Sequence, residues 1–474
     1  MSNPNAAPTP VIAIFDIGKT NKKLFLFNER YEIVWQKTEQ FAEGVDDDGY
    51  PCENLKKLTR WITASLEIVM ALPDFDIRAL NFSTYGASLV YLDRESRPIG
   101  YLYNYLKPFP TDIRKKFYDS YGDEATLSLQ TASPALDSLN SGLMLYRIKY
   151  DKPKLFRRIW YALHLPQYVS FIVTRQVLSD VTSIGCHTML WDFDQNQYHH
   201  WVTAEGIDNI LGPLSTSDNV MNATWLNHPM KVGVGLHDSS AALIPYLASF
   251  QEPFVLISTG TWCISLNPFN DSPLTVEELQ YDCLRFMHYK GRPVKASRLF
   301  AGYEHEQQVK RLAEHFQVDV NYYFTVAYEP DIIHHLRSQR MGGDFHGVKA
   351  PPLQESLFAY RNLADFSTYE EAYHQLILDI MAQQLISTNL VLANSSTHRT
   401  AVKRIFVDGG FGKNTIYMHL LAAAFPEIEV FAASVAQATA LGAALAIHHH
   451  WNTRPVPGDC IELKHYAALE RTTL

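Results

Sequence analysis

Two units of the same design stand about half a chain apart in this sequence. Each has an apolar run of strand length, a turn built from glycine and threonine, and a second apolar run. The first unit is VIAIFD and KLFLFN around Gly18, followed by YEIVW at residues 31 to 35; the second is FVLIS and WCISL around Gly260. Such a repeat predicts an ancient duplication and two domains that each open with a β-meander.

The length of the chain supports two domains. At 474 residues it exceeds the size at which one hydrophobic core usually stops growing. Strands such as RIFVDGG (404 to 410) alternate with helical segments at 369 to 395 and 435 to 450, which indicates an α/β fold. We expect the boundary near residue 246, after the helix that contains SSAALIPYL, and therefore domains at 1–246 and 247–474.

Composition excludes several classes of partner. A net charge of -9 gives no basic footprint for nucleic acid, and no apolar run is long enough for a membrane span. The first ten residues lack the features of a signal peptide. Five cysteines without a C-x-x-C spacing predict neither a zinc site nor a disulfide framework. We therefore expect a soluble cytoplasmic protein without nucleic-acid or membrane partners, and a homodimer is compatible with these features.

The turn after the first strand is a candidate phosphate site. Gly18, Lys19 and Thr20 are similar to the end of a P-loop, but position 13 is Ala13 where that motif needs glycine, and a strand follows instead of a helix. A phosphate-gripping hairpin turn, with backbone N–H groups and lysines facing the anion, is the other functional interpretation. An ordinary polar turn uses the same residue types.

The second turn and a later glycine pair have matching chemistry. Ser258, Thr259, Gly260 and Thr261 offer three hydroxyls without bulk, and VDGG at 407 to 410 lets the backbone approach a ligand after a strand. Plain turns are the alternative for both. Two such turns half a chain apart predict a nucleotide held between duplicated domains.

Four further residues indicate an acceptor site. Asp238 stands before a run of small helical residues, where it suits a helix N-cap and can equally accept a proton. His237 beside it can hydrogen-bond a hydroxyl group. Tyr85 and Gly86, between two predicted strands in NFSTYGASLVYLD, let a small ligand stack and approach the backbone, although an edge-strand irregularity has the same pattern.

His448, His449 and His450 are consecutive and predict a solvated helix end.

Taken in order along the chain, these motifs resemble the FGGY carbohydrate kinases. The resemblance spans almost the whole sequence and rests on DIGKTN (16 to 21), STYG (83 to 86), HD (237 and 238), TGTW (259 to 262) and VDGG. It implies two ribonuclease-H-like domains, as in actin, hexokinase and Hsp70, with a central cleft that binds ATP, Mg²⁺ and a sugar.

The resemblance also assigns roles to residues of this chain. It implies that Asp238 is the catalytic base, that Asp16 lies by the metal, and that Tyr85, Gly86 and His237 contact the sugar. The residues implied at the nucleotide are Lys19, Thr20, Asn21, Lys22, Lys23, Gly260, Thr261 and Gly410.

The residues around Asp238 narrow the implied substrate. The implied catalytic aspartate of this chain is flanked by His237 and Ser239. This pattern resembles that of the kinases of L-rhamnulose and L-fuculose, two 6-deoxy ketohexoses. The sequence departs from the family pattern at Lys19 and Lys23, and the segment 295 to 308 lacks an expected substrate-binding asparagine. A kinase of another ketose or polyol, such as xylulose, ribulose or glycerol, and a non-catalytic actin-like or Hsp70-like ATP-binding protein remain the alternatives.

Overall fold

Two seven-stranded sheets form the framework of the molecule. The structure, a computed structural model, describes residues 7–340, 356–392 and 402–467. The strands of the first sheet are β1 Thr9–Ile17, β2 Asn21–Asn28, β3 Ile33–Gln40, β4 Phe75–Thr84, β5 Val220–Trp225, β6 His228–Gly233 and β7 Leu236–His237. Those of the second are β8 Phe254–Thr259, β9 Cys263–Asn267, β10 Cys283–Met287, β11 Pro293–Leu299, β12 Arg404–Gly409, β13 Glu429–Ser434 and β14 Glu462–Tyr466.

The two sheets share a topology. In the first, β1 pairs with β2 and β2 with β3 in antiparallel fashion, while β4 lies parallel to β1 on its other side. In the second, β8 pairs antiparallel with β9 and β9 with β11, while β12 lies parallel to β8. A further parallel strand follows in each sheet, β7 beside β4 and β13 beside β12. The predicted α/β fold with two meander-opened sheets is confirmed.

Helices cover the sheets. The longer ones are α1 Leu55–Met70, α2 Thr111–Tyr121, α3 Ser141–Asp151, α4 Leu165–Thr174, α5 Asp238–Ser249, α6 Ala301–Phe316, α7 Pro330–Arg340, α8 Tyr369–Leu392, α9 Thr415–Ala424 and α10 Ala438–Ala446. Shorter helices are Glu124–Gln130, Pro153–Phe156, Val181–Ile184, His200–Ala204, Val276–Gln280 and His448–Trp451. Short strands outside the two sheets include Leu89–Leu92, Pro98–Ile99 and Tyr161–His164, which form a small sheet of their own.

The helices α5 and α10 join the two sheets. Small residues allow α10 to approach α5 so closely that a Cβ atom on Gly442 would lie 1.9 Å from the carbonyl oxygen of Ala241. Asn81 of β4 donates a hydrogen bond from Nδ2 to the carbonyl oxygen of Ala443, at 2.8 Å. Buried side chains of both sheets, such as Ile14 and Phe406, belong to one hydrophobic cluster around these helices. The two sheets therefore share part of their core.

Several sequence predictions need correction in detail. The third strand begins at Ile33 rather than residue 31, because Tyr31 has a positive φ of 63° and its ring is buried in the shared core. The helix predicted for 435 to 450 begins at Ala438 and breaks after Ala446. Residue 246 lies inside α5, which ends at Ser249, and the domain boundary expected near it stays a prediction. Residues 393 to 395 of the predicted helix lie outside the described residues.

The histidine run is only partly a solvated helix end. His449 and His450 are exposed, but His448 is buried, and its Nδ1 lies 2.6 Å from the Tyr31 hydroxyl. All five cysteines are free thiols. Within the described residues, no helix combines the length and apolar character needed to cross a membrane.

Candidate active site

Two carboxylates lie at one edge of the first sheet. Asp16 ends β1 opposite Ser83 of β4, and Thr84 pairs with His237, the residue before Asp238. Because β1, β4 and β7 are parallel, their carboxyl ends meet at the same edge of the sheet, where ligands of open α/β sheets bind. Burial raises the pKa of Asp16, and the Asp238 charge adds a smaller contribution in the same direction.

Asp238 is the first residue of α5 and not its N-cap. His237 occupies the cap position without a side-chain cap bond, which corrects the expectation from the sequence. The Oδ1 atom of Asp238 accepts a hydrogen bond from the backbone N–H of Ser239 at 2.7 Å. About a third of the Asp238 side chain is accessible to solvent. The protein around the carboxylate nevertheless excludes much of its water, and this desolvation raises the pKa of Asp238 to about 6. A carboxylate with this pKa is ionised at neutral pH and suited to accept a proton.

His237 is held neutral beside this carboxylate. Its side chain is buried, which lowers its pKa to about 4. The Nε2 atom lies 3.3 Å from Asp238 Oδ1, and the backbone N–H donates to Thr182 Oγ1 at 3.0 Å. A neutral imidazole has one donor and one acceptor nitrogen, so this ring can orient the carboxylate and a hydroxyl group without adding charge.

Gly86 lies directly against His237. A Cβ atom on Gly86 would stand 2.6 Å from His237 Nε2, so any larger residue would displace the imidazole. The neighbouring Tyr85 is buried, with a hydroxyl group that has no hydrogen-bond partner in the described structure. Burial raises the pKa of Tyr85 well above its usual value, and its hydroxyl is therefore a neutral donor. Gly86 and His237 are thus brought together, while the Tyr85 side chain packs in the hydrophobic core of the first half.

Asp16 faces the second half of the chain. Burial raises its pKa to about 6, while a hydrogen bond with Thr439 and the charge of Lys23 oppose this shift. Lys23 Nζ donates to Gln437 Oε1 at 3.0 Å. Two carboxylates at one edge of the sheet, each with a pKa raised by burial, have the oxygen chemistry of a divalent cation site, since such a cation would offset the cost of their buried charge.

The other predicted residues of the first turn are already engaged. Lys22 Nζ is buried and lies 2.8 Å from Glu53 Oε2, and Lys19 Nζ lies 2.9 Å from Glu43 Oε1. The amide oxygen of Asn21 accepts a hydrogen bond from Gln40 at 2.8 Å. Thr20 is exposed. A buried, paired ammonium such as that of Lys22 is not free to contact a phosphate directly, so this position supports the turn instead.

The second turn is fitted closely to its neighbours. Gly409 has a φ of 94°, and a Cβ atom there would lie 1.9 Å from the carbonyl oxygen of Thr259. The Thr259 hydroxyl donates to the Asp408 carbonyl oxygen at 2.6 Å and accepts from the Phe411 N–H at 3.0 Å. A Cβ atom on Gly410, in contrast, would meet no atom within 4 Å. The predicted glycine pair thus has one residue that packs and one that faces open space.

A cavity of about 690 Å³ opens beside this turn. Its size suits a ligand larger than a simple sugar. Gly260, Thr261 and Gly410, three of the residues predicted at the nucleotide, line it together with aromatic side chains such as Phe324 and Phe411. Within the described structure, no residue of the first turn contributes to this lining.

One wall of this cavity was not predicted from the sequence. Gly302, His305 and Glu306, at the start of α6, belong to the segment 295–308 that had no assigned role. A Cβ atom on Gly302 would lie 1.8 Å from the Gly260 carbonyl oxygen, so this glycine lets α6 pack on the turn. The local signal in the sequence is the single glycine Gly302, and an isolated glycine is common where no ligand binds.

Two family models match this chain. Residues 11–244 match the model of the N-terminal domain of the FGGY family of carbohydrate kinases, and residues 304–451 match the model of its C-terminal domain. Among curated proteins, no similar sequence was found.

Solved structures resemble the chain over almost its full length. A carbohydrate kinase from Novosphingobium aromaticivorans is 22% identical with a TM-score of 0.79, covering 98% of this chain and 95% of its own. A xylulose kinase from Lactobacillus acidophilus is 14% identical with a TM-score of 0.75, covering 97% and 94%. A glycerol kinase from Plasmodium falciparum is 15% identical with a TM-score of 0.71, covering 94% and 90%. At these identities the likeness establishes the two-domain α/β fold and nothing further.

Proposed function

Since this chain belongs to the FGGY family of carbohydrate kinases, which transfer a phosphoryl group from ATP to a sugar or polyol, we propose that its acceptor is a 6-deoxy ketohexose such as L-rhamnulose or L-fuculose. The observation that carries the proposal is the packing of Gly86, His237 and Asp238. A buried neutral imidazole between a glycine and a carboxylate is a site for a hydroxyl group next to a proton acceptor.

The surroundings of His237 suit a deoxy sugar. The ring of Phe286 stands edge-on to the imidazole, with 6.3 Å between the ring centroids, and is buried. An apolar surface next to a hydroxyl-binding group favours a methyl group over a hydroxymethyl group by about 1 to 3 kcal/mol. We therefore expect non-deoxy ketoses to be slower substrates.

In the proposed reaction, Asp238 is the catalytic base. It accepts the proton of the attacking sugar hydroxyl while the new O–P bond forms and the bond between the γ-phosphorus and the bridging oxygen of ATP breaks. His237 and Tyr85 position the sugar, and Gly86 leaves room for the imidazole. Asp16 would hold Mg²⁺, which supplies positive charge to the phosphates when it is bound.

The proposed nucleotide site lies in the second half of the chain. Thr261 presents its backbone N–H and its hydroxyl to phosphate oxygens inside the 690 Å³ cavity. Gly260 and Gly410, whose N–H groups donate to the carbonyl oxygens of Trp262 and Thr259, leave room for the phosphates because they carry no side chain. Thr20 and Lys23, with the supporting Lys19, Asn21 and Lys22, would approach the phosphates from the first half. We propose that residues 1–246 and 247–474 act as the two domains of this cleft.

A coupled assay of ADP release over L-rhamnulose, L-fuculose, D-xylulose, L-ribulose and glycerol tests the substrate. We expect one of the two deoxyketoses to give the highest kcat/KM and His237→Ala to reduce that preference. If xylulose, ribulose or glycerol is best, the deoxyketose proposal is wrong while the kinase activity stands. If no acceptor stimulates ADP release, an ATP-binding role without transfer becomes the better explanation.

A further inference from the structure

A cluster of one cysteine and two histidines lies beside the proposed base. Cys186, His187 and His237 each offer one ligand atom, and the three atoms lie within 4.8 Å of one another. Cys186 and His187 follow the short helix Val181–Ile184, whereas His237 ends β7. The 51 or so residues between them explain why no metal-binding spacing is visible in the sequence.

The nitrogen atoms of this cluster are available. The Nδ1 atoms of His187 and His237 are buried and have no hydrogen-bond partner in the described structure. Burial lowers the pKa of His187 to about 3 and that of His237 to about 4, so both rings are neutral at any physiological pH. Unpaired buried imidazole nitrogens are costly, and a metal ion or a ligand hydroxyl would satisfy them.

The set of donors favours a particular class of metal. One sulfur and two imidazole nitrogens suit Zn²⁺ and similar borderline-soft ions, while Mg²⁺ prefers oxygen. With bonds of about 2.0 to 2.3 Å, ligand atoms around a tetrahedral zinc ion lie about 3.3 to 3.8 Å apart, so movements of about 1 Å would close the site. Cys186 is buried, and burial raises the pKa of its thiol to about 12, so the ion must displace the thiol proton.

We propose that Cys186, His187 and His237 form an inhibitory zinc site that excludes the sugar. Three protein ligands leave the fourth position of the ion open toward the cleft or to water. The inhibitory part rests on the proposed function, because it assumes that His237 contacts the sugar. A bound ion would recruit this imidazole as a ligand and place a double positive charge beside Asp238, where it would oppose proton transfer to the carboxylate.

The metal site can be tested without catalysis. The full-length protein is freed of metal with a chelator and titrated with Co²⁺, which reports a bound thiolate through near-ultraviolet charge-transfer absorption. We expect about one Co²⁺ per chain with this absorption, displaced by Zn²⁺. Cys186→Ser should abolish the absorption and weaken Zn²⁺ binding at least tenfold, while Cys283→Ser, which alters another buried cysteine, should keep both.

Steady-state kinetics test whether the bound zinc ion inhibits the enzyme. With ADP release monitored at fixed Mg²⁺, Zn²⁺ should raise the apparent KM for the sugar and leave that for ATP unchanged. Cys186→Ser should retain turnover in the presence of chelator and require at least tenfold more Zn²⁺ for half-inhibition; Cys186→Ala provides a second variant if serine prevents folding. Absence of the cobalt absorption, or its survival in Cys186→Ser, overturns the site. Metal binding without any effect on the sugar KM overturns the inhibitory role alone.

Discussion

The two halves of the molecule build equivalent turns by different physical means. The first turn, between β1 and β2, is surrounded by charge: Lys22 is paired with Glu53, and Lys23 lies near Asp16. The second turn, between β8 and β9, carries no ionisable side chain from Ser258 to Thr261 and is shaped by close backbone packing. Equal topology therefore does not imply equal chemistry.

This difference predicts which substitutions matter in each half. Changes of charge should strongly affect stability or turnover when they are made in the first half, because its buried carboxylates and ammonium groups are shielded from water. Added methyl groups should act strongly on the second half, where glycines touch backbone carbonyl oxygens. The following predictions test this division, from the largest expected effect to the smallest.

Asp238→Asn should reduce turnover by about 10²- to 10⁴-fold while the fold is retained, since an amide cannot accept the hydroxyl proton. Steady-state ADP release and circular dichroism would measure the two properties.

Because the pKa of Asp238 is about 6, kcat/KM of the unaltered enzyme should fall about tenfold per pH unit below pH 6 and level off above it.

The matched change in the second half is Asp408→Asn. This carboxylate lies near the end of β12, which is parallel to β8 as β4 is to β1, and it accepts a hydrogen bond from the Tyr246 hydroxyl at 3.1 Å. We expect less than a tenfold loss of turnover. Near-normal turnover of Asp238→Asn, or an equal loss in both variants, would contradict the assignment of the chemistry to the first half.

Lys22→Met should destabilise the fold by about 3 to 5 kcal/mol, because it leaves the buried Glu53 carboxylate without its partner. Urea unfolding followed by fluorescence would measure the loss. The double variant with Glu53→Gln should recover part of the stability. Lys19→Met, at a pair with exposed members, should cost no more than about 1 kcal/mol.

Equal losses at Lys22 and Lys19 would show that the buried pair has no special role. A large rise in the KM for ATP in Lys22→Met, with unchanged stability, would instead restore Lys22 to the direct phosphate contacts implied by the sequence.

Gly409→Ala should distort the second turn, because the new Cβ atom would collide with the Thr259 carbonyl oxygen at an unfavourable φ. We expect a loss of about 1 to 3 kcal/mol in stability together with a raised KM for ATP. Gly410→Ala, one residue away, meets no protein atom and should leave stability unchanged while raising only that KM. Thermal unfolding and ATP titrations separate the two; similar stabilities would refute the role of close packing here.

The sequence alone was sufficient for the elements that repeat or have clear periodicity. The hairpins around Gly18 and Gly260 were predicted because strand, turn and strand follow each other locally. The His237, Asp238 and Gly86 group was predicted only through the family resemblance, since nothing local shows that residues far apart in sequence meet.

What could not be predicted depends on long-range packing. Nothing near Lys22 indicates that it points to Glu53 rather than to solvent, and the burial of His448 depends on Tyr31, which is distant in sequence. The proximity of Cys186 and His237 likewise arises only when β7 joins the sheet. In each case, a side chain's role is decided by a partner that local patterns do not identify.

Asp16→Asn should stabilise the protein at pH 8 and leave it nearly unchanged at pH 4. The pKa of Asp16 is about 6 in the folded protein, above the ordinary value of 3.8, so the folded state binds more protons between these values. Stability from this group is therefore present below pH 4 and is lost as the pH rises toward 6. Removing the charge should recover on the order of 1 to 2 kcal/mol at pH 8, reduced from the full shift by water around the group. Thermal unfolding of both proteins at the two pH values measures this gain, with the exposed Asp76→Asn as the control. A gain that does not change with pH, or a gain of equal size at Asp76, would show that burial of the Asp16 charge does not destabilise the fold.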